Sequence, residues 1–488
     1  MKYLAISIGP IIKTFSMARK PREFWAASYL FSYLMQCILE VFDNEEKVEL
    51  LSPYYKKGCE PKIGVGLFPD RAFYKIKEAD VNVDEMLNEA LLNFACRVNL
   101  PVQVVSSFFS IMTVCKGYKT SAQAIKGLNE LLDLVELNQK TWSLDDFDTV
   151  LRFLQHTTNE SPSPLFEIAF GKKRFPIETL EEIANSEKIP ITYSYQRYVC
   201  IVQADGDNMG RIVSSSQMEG KLFDFSQCLM RFGESACTLI NNYGGLPIYA
   251  GGDDLLFIAP VCGKEGKTIF DLIGEIDEQY NKQIQKIVEE RDIEIEKNEK
   301  KIKVKTSMSY GISIIYYKYP LYEAWETARN MLFGFAKKQV DGKNAIALNL
   351  RKNSGSDFRL LLSKSRDEYP LLKSLINLTP EESLVSSVAH KVRANEPLLS
   401  TFNRANLSSR LRAFFDKVID AEDKSMKAQS YIEKTREMLK LIMNNYIGRK
   451  SVKAENGTEK SATQQATELF YSILRIAKFI KGEEVKDE

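Results

Sequence analysis

Residues 246–260 read LPIYAGGDDLLFIAP, two apolar runs separated by Gly251, Gly252, Asp253 and Asp254. Short apolar runs on either side of paired glycines demand a tight hairpin between buried strands, because glycine supplies the positive φ of a two-residue turn. In a regular strand Asp253 and Asp254 would point to opposite faces. Adjacent carboxylates also resist ionising together unless cations lie between them. Two readings stay open on this stretch alone. The turn presents both carboxylates to a pair of divalent cations, or it is a solvated hairpin tip whose acids cap the turn.

A second stretch narrows the choice. YVCIVQADGDNMG, residues 198–210, sets Asp205 at the end of a buried strand and follows it with a glycine-punctuated turn. If that strand lies beside the hairpin, Asp205, Asp253 and Asp254 converge from adjacent strand ends. A few carboxylates plus substrate phosphates are what a pair of Mg²⁺ or Mn²⁺ ions requires. The backbone N–H groups of Gly206, Asp207, Asn208, Met209 and Gly210 are candidates to cradle a triphosphate as a nest, with an Asx turn ahead of a helix as the alternative. Gly251 and Gly252 would let the same ligand approach the backbone closely. In ARNMLFGFAKKQVDGKNAIAL, Lys337 emerges at a helix C-terminus. It is a natural point charge for a β- or γ-phosphate, or else a solvent lysine favoured by the helix end.

Around these stretches the chain runs one pattern twice. In 1–118, KYLAISIG reads as strand, PREFWAASYLFSYLMQCILEVF as helix, KVELLSP and IGVGLFP as strands, VDEMLNEALLNFACRVN as helix and VQVVSSFFSIMTVC as strand. This β-α-β-β-α-β order is the split βαβ pattern of ferredoxin-like and palm domains. Residues 196–352 repeat it, with a long helix over roughly 267–300 whose charge run EERDIEIEKNEKKIKVK is its solvated face. Residues 119–195 read as a helical connector, and 353–488 as an all-α domain without a chemical motif. The fold class expected is α+β: two ferredoxin-like palm domains, a helical connector and an all-α C-terminal domain.

Composition removes several functions. The 488 residues carry Lys+Arg 66 against Asp+Glu 65, a net charge of +1, so any nucleic-acid surface must be a local patch. The basic cluster Lys13, Arg19, Lys20 and Arg22 is such a patch or a solvated helix start. No C-x-x-C pair signals a zinc ribbon, and the two histidines, His156 and His390, are too isolated for a multi-histidine metal site. The start is too short in apolar residues for a signal peptide, and no run reads as long enough to cross a membrane. A cytoplasmic protein with no membrane partner is expected.

Taken together, ADGDNMG, YAGGDDLLF, SYGISI, YPLYEAWETA and AKKQVDGKNA resemble the second palm of the large subunit of type III CRISPR effector complexes. That palm is related to GGDEF and class III nucleotidyl cyclases. ISIGPIIKTFSMARKPREFWAASYLFSYL resembles the opening of the Cmr-type (III-B) version, and FPIETLEEIA the segment before its second palm. The resemblance covers essentially the whole chain. It implies a subunit held in a multi-subunit complex with crRNA, joined to other CRISPR-associated subunits through its first palm and C-terminal helices. Target RNA would switch it on to polymerise ATP into a second messenger, cyclic oligoadenylate. Asp205, Asp253 and Asp254 would hold two metal ions, and Lys337 would steady the triphosphate. The first palm has no acidic turn and would bind the acceptor, with Ser7, Gly9 and Asp70 as weaker candidates. Alternatives are S-adenosylmethionine as co-substrate, a catalytically silent nucleotide-binding scaffold, and a free-standing cyclase. Many family members carry an HD nuclease and a four-cysteine zinc site. The sequence shows neither pattern, so neither activity nor zinc is expected.

Overall fold

The computed structural model describes residues 1–58, 63–78, 80–137, 144–155, 164–171, 177, 179–297, 300–378, 382–419, 425–453, 459–481 and 483–484. The first sheet comprises β1 (Lys2–Gly9), β2 (Val48–Ser52), β3 (Arg71–Ile76) and β4 (Ser110–Gly117), ordered β2-β3-β1-β4 and antiparallel throughout. The second comprises β5 (Tyr198–Gly206), β6 (Leu246–Gly251) and β7 (Asp254–Pro260). After a separate two-stranded ladder, β8 (Glu294–Lys297) with β9 (Lys300–Lys303), it continues with β10 (Met308–Tyr316), β11 (Ala345–Arg351) and β12 (Asp357–Ser363). Its order, β12-β11-β10-β5-β7-β6, contains β10-β5-β7-β6, the connectivity of β4-β1-β3-β2 over again. The chain is two ferredoxin-like units followed by a mainly helical region.

Local chemistry explains the elements. Phe225, Leu229, Phe232, Ala236 and Ile240 bury one stripe of the Leu222–Tyr243 helix, and Gly244 at φ 98 ends it in the left-handed conformation. Val199, Cys200, Ile201, Val202 and Ala204 are fully buried, as a strand covered on both faces must be. The two units share one apolar core. Ala250 N donates to Gly66 O at 3.0 Å, Phe15 stacks on Trp325 at 5.0 Å, and the Glu219 carboxylate accepts from the N–H groups of Ser121 and Ala122.

Several expectations are corrected. IGVGLFP is not a strand. Gly64 stands at φ 68 and Gly66 makes a single bridge to Tyr249, so the glycines break the ladder and RAFYKI supplies β3 instead. VQVVSSF is the Val102–Phe108 helix, because burying Val105 and Phe108 at helical spacing outweighs the β-branched preference. The long charged helix ends by Glu290, and Glu294–Lys297 pairs antiparallel with Lys300–Lys303; DIEIEK alternates with period two, which a helix cannot use. β12 extends the second sheet beyond 352, and a two-residue ladder, Val452–Lys453 with Glu459–Lys460, interrupts the C-terminal helices. The Pro21–Asp43 helix is in fact long and apolar enough to cross a membrane, but 83% of that window is buried inside the protein, against the Val83–Val98 helix and β6. His156 lies outside the described residues, and His390 packs beside Tyr471.

Candidate active site

β5 and β7 run antiparallel with Ala204 opposite Leu255, so continuing the register sets Asp205 beside Asp254. Between β6 and β7 only Gly252 and Asp253 turn the chain, since Gly251 pairs with Asp254. Gly252 stands at φ 67, the conformation required at the first central position of such a turn. A cleft of about 1180 Å³ opens over these strand ends. Asp205, Asp253, Asp254, Gly206, Gly251, Gly252 and Lys337 line it, and the first unit contributes Asp70 and Arg71.

The carboxylates are under electrostatic stress. Burial, then the nearby Asp207, pushes Asp253 up to about 6. Burial, then Asp253 and Asp70, holds Asp254 well above the usual carboxylate range. Asp254 Oδ1 is buried without a hydrogen-bond partner. Asp205 instead pairs with Lys337 Nζ, which also donates to Gly206 O at 2.9 Å. Burial, then Lys343, draws the Lys337 ammonium down to about 7. Its contact with Asp205 opposes that pull, and an ammonium donating to a carboxylate and a carbonyl is best read as the charged form. The orphaned oxygen and the crowded charges of Asp253 and Asp254 fit a divalent cation. The full ligand set is not gathered: among the described residues no group of three His, Cys, Asp or Glu side chains is placed to hold a metal.

The phosphate nest differs from expectation. Gly206 N donates to Asp253 O at 3.2 Å and Asp207 N to Ser307 O at 2.7 Å, so neither amide is free. Asn208, at φ 64, precedes the Met209–Val213 helix and ties its side chain to Lys305 O. The N–H groups of Met209 and Gly210 open the first turn, where no intrahelical acceptor exists. The sequence pattern points only to the amide of Asp207, yet its carboxylate is a buried hub. It accepts from Ser307 Oγ at 2.7 Å, Ser309 Oγ at 2.9 Å and Asn344 N at 2.9 Å. It thereby ties β5, the start of β10 and the loop carrying Lys343 together.

The acceptor candidates separate. Asp70 lines the cleft; Ser7 and Gly9 do not. Ser7 Oγ donates to Glu136 at 2.6 Å, and Gly9 pairs with Ser110 at the strand end. Sequence reading missed Arg71, whose guanidinium reaches Asn129, Asp133 and Glu136 from the cleft wall, and missed Lys343. The only signals for them were PDRAF and VDGKN.

Two family models match the chain: Cas10/Cmr2, second palm domain, over residues 198–347, and CRISPR-associated protein Cmr2, N-terminal, over residues 3–91. The CRISPR system Cmr subunit Cmr2 of Pyrococcus furiosus is 31% identical over 185 residues, which is 33% of this chain and 19% of that protein. The match therefore spans about a fifth of that curated relative. Among solved structures, a chain of type III-B Cmr-beta bound to cognate target RNA aligns with TM-score 0.57 and 12% identity, covering 98% of this chain and 83% of its own. The apo state of Cmr-beta gives 0.52 and 11%, covering 88% and 78%. A Csm1-Csm4 cassette in complex with pppApA gives 0.51 and 11%, covering 98% and 69%. At these identities the structures establish the fold.

Proposed function

We propose that this chain, a Cmr2-like subunit of the type III-B kind, is a nucleotidyltransferase that joins ATP molecules into cyclic oligoadenylate within a crRNA-guided complex triggered by target RNA. The observation that carries the reading is the cleft, where an acidic hairpin turn on one palm faces Lys337, Lys343 and, from the other palm, Arg71. Neighbours of the same fold bind cognate target RNA in one case and pppApA in another, which supports both the trigger and the adenylate product.

In each step the 3′-hydroxyl of one nucleotide attacks the α-phosphate of another. The 3′-O–Pα bond forms, the bond from Pα to the bridging oxygen breaks, pyrophosphate leaves, and the hydroxyl proton passes to solvent. Divalent cations held by Asp253, Asp254 and Asp205 would neutralise the charge on the transferring group and favour the attacking alkoxide. Lys337 holds the β- and γ-phosphates once they displace its contact with Asp205. The N–H groups of Met209 and Gly210 donate to the same chain of phosphates. Arg71 and Asp70 bring the first palm to the acceptor side. No feature of the cleft favours S-adenosylmethionine over a second ATP.

The test is pyrophosphate release from Mg-ATP by the chain reconstituted with its partner subunits, guide RNA and matching target RNA. Release that falls by at least about a thousandfold in the Asp253→Ala/Asp254→Ala variant is expected, the scale on which transition-state electrostatics act. Equal release by the variant, or none by either, overturns the reading.

A further inference from the structure

A second pocket lies at the far end of the second sheet. β10 begins at Met308, opposite Gly206 in the cleft, and ends at Tyr316, opposite Tyr198. Eight residue steps at roughly 3.3 Å each put these ends about 26 Å apart. Beyond Tyr316, the turn Tyr317–Lys318–Tyr319–Pro320 meets the start of the Pro21–Asp43 helix of the first palm, enclosing about 310 Å³.

Four cations converge there. Arg19, Lys20 and Arg22 come from the helix entry and Lys318 from the opposing turn, and no carboxylate is among the described lining residues. None of the four forms an ion pair with a described residue. Arg22 is half-buried, and its Nε is buried with no hydrogen-bond partner. A guanidinium N–H left without an acceptor is unfavourable, so Arg22 is poised to pair with an external anion. The nearest carboxylate on the same helix, Glu23, is committed to the backbone N–H groups of Arg19 and Lys20.

Much of the remaining wall is aromatic or apolar. Tyr317 and Tyr319 present rings beside Pro21, Pro320 and Leu321. Tyr319 already carries Arg351 at 5.1 Å from its ring centroid and donates to Glu323, which fixes its orientation. Lys318 sits 5.5 Å from the Tyr317 centroid, close enough to share a ligand with that ring. Cations for phosphate beside aromatic surface for a base is the composition of a nucleotide-binding groove.

We propose that this pocket binds a nucleotide phosphate, with Arg22 and Lys318 contacting the phosphate and Tyr317 the base. It stands apart from the catalytic cleft and does not depend on the activity assigned there. Two sources share this chemistry: a phosphodiester in a single strand, and a free nucleotide.

The experiment measures fluorescence anisotropy of a labelled single-stranded oligouridylate on the intact chain, across a range of salt and with ATP as competitor. Lys318→Glu, at an exposed position, and Arg22→Ala are the variants. The proposal expects Lys318→Glu to weaken strand binding by at least tenfold and to flatten the log–log salt slope by about 0.7 for each phosphate it ceases to neutralise. Pyrophosphate release in the reconstituted complex should stay unchanged. Weaker binding by the variants without competition by millimolar ATP assigns a strand phosphate; weaker binding together with competition assigns a free nucleotide. Unchanged affinity and salt slope in Lys318→Glu would overturn the proposal, whatever happens to Arg22→Ala.

Discussion

Replacing Asp253 with asparagine should make the protein more stable while destroying its proposed activity. Asp253 keeps its place in the turn by backbone bonds, which asparagine can retain, and it suffers from burial and from Asp207. A carboxyl whose midpoint rises from 3.8 to about 6 costs the folded state up to about 3 kcal/mol once it is ionised. Its partly exposed surface reduces that figure through solvent screening. The sign follows from proton binding: between 3.8 and about 6 the folded state binds more protons than the unfolded state, so stability falls as pH rises through that window. The advantage of Asp253→Asn should therefore be greatest at pH 8, up to about 3 kcal/mol, and shrink to about 1 kcal/mol at pH 4.5. Urea unfolding of the metal-free chain, followed by the fluorescence of buried Trp25 and Trp325, reads this directly. Added Mg²⁺ should stabilise the wild type and leave the variant nearly unmoved. A variant no more stable than wild type at pH 8, or equally advantaged at both pH values, would refute the reasoning.

Three further perturbations follow from named contacts. Lys337→Met removes a charged hydrogen-bond donor worth about 1.5–3 kcal/mol and should raise the KM for ATP roughly ten- to hundredfold in the reconstituted complex; an unchanged KM would take Lys337 away from the triphosphate. Asp207→Leu strands Ser307 Oγ, Ser309 Oγ and Asn344 N, and should cost about 3 kcal/mol or more by denaturant titration, with Asp207→Asn intermediate; equal stability would show that the hub bears no load. Gly311→Ala would drive a Cβ into the backbone of Ala328 and Leu332, where β10 meets the following helix, and should lower the thermal midpoint by several degrees; an unaltered melt would mean that the helix shifts freely.

Turn chemistry and strand ends made much of this legible in the sequence. Asp205 closing a buried run, and Gly251 to Asp254 between two others, could be placed without knowing any tertiary contact. So could both ferredoxin-like orders, because the Leu222–Tyr243 helix buries a clear stripe and the Pro21–Asp43 helix is a long, almost uninterrupted apolar run. What stayed hidden depends on register and distant partners. The Asp207 side chain matters because β10 brings Ser307 and Ser309 beside it, about a hundred positions away, and no local pattern separates that role from a turn amide. Arg71 reaches the cleft only once the first unit packs on the second, and Lys343 only once its loop folds back onto Asp207. VQVVSSF misled because its β-branched residues favour strand while its buried positions are spaced for helix. The charge run at 289–305 misled by its polarity, although its isoleucines alternate with a strand's period.

The measurement that bears most directly on the central claim is the identity of the bond made from ATP. The reconstituted complex, with guide and matching target RNA, would be given ATP and Mg²⁺ and its products resolved by mass spectrometry. The account predicts pyrophosphate together with 3′-linked adenylate oligomers, absent from the Asp253→Ala/Asp254→Ala variant. ADP and inorganic phosphate as the sole products would place attack at the γ-phosphate and contradict it.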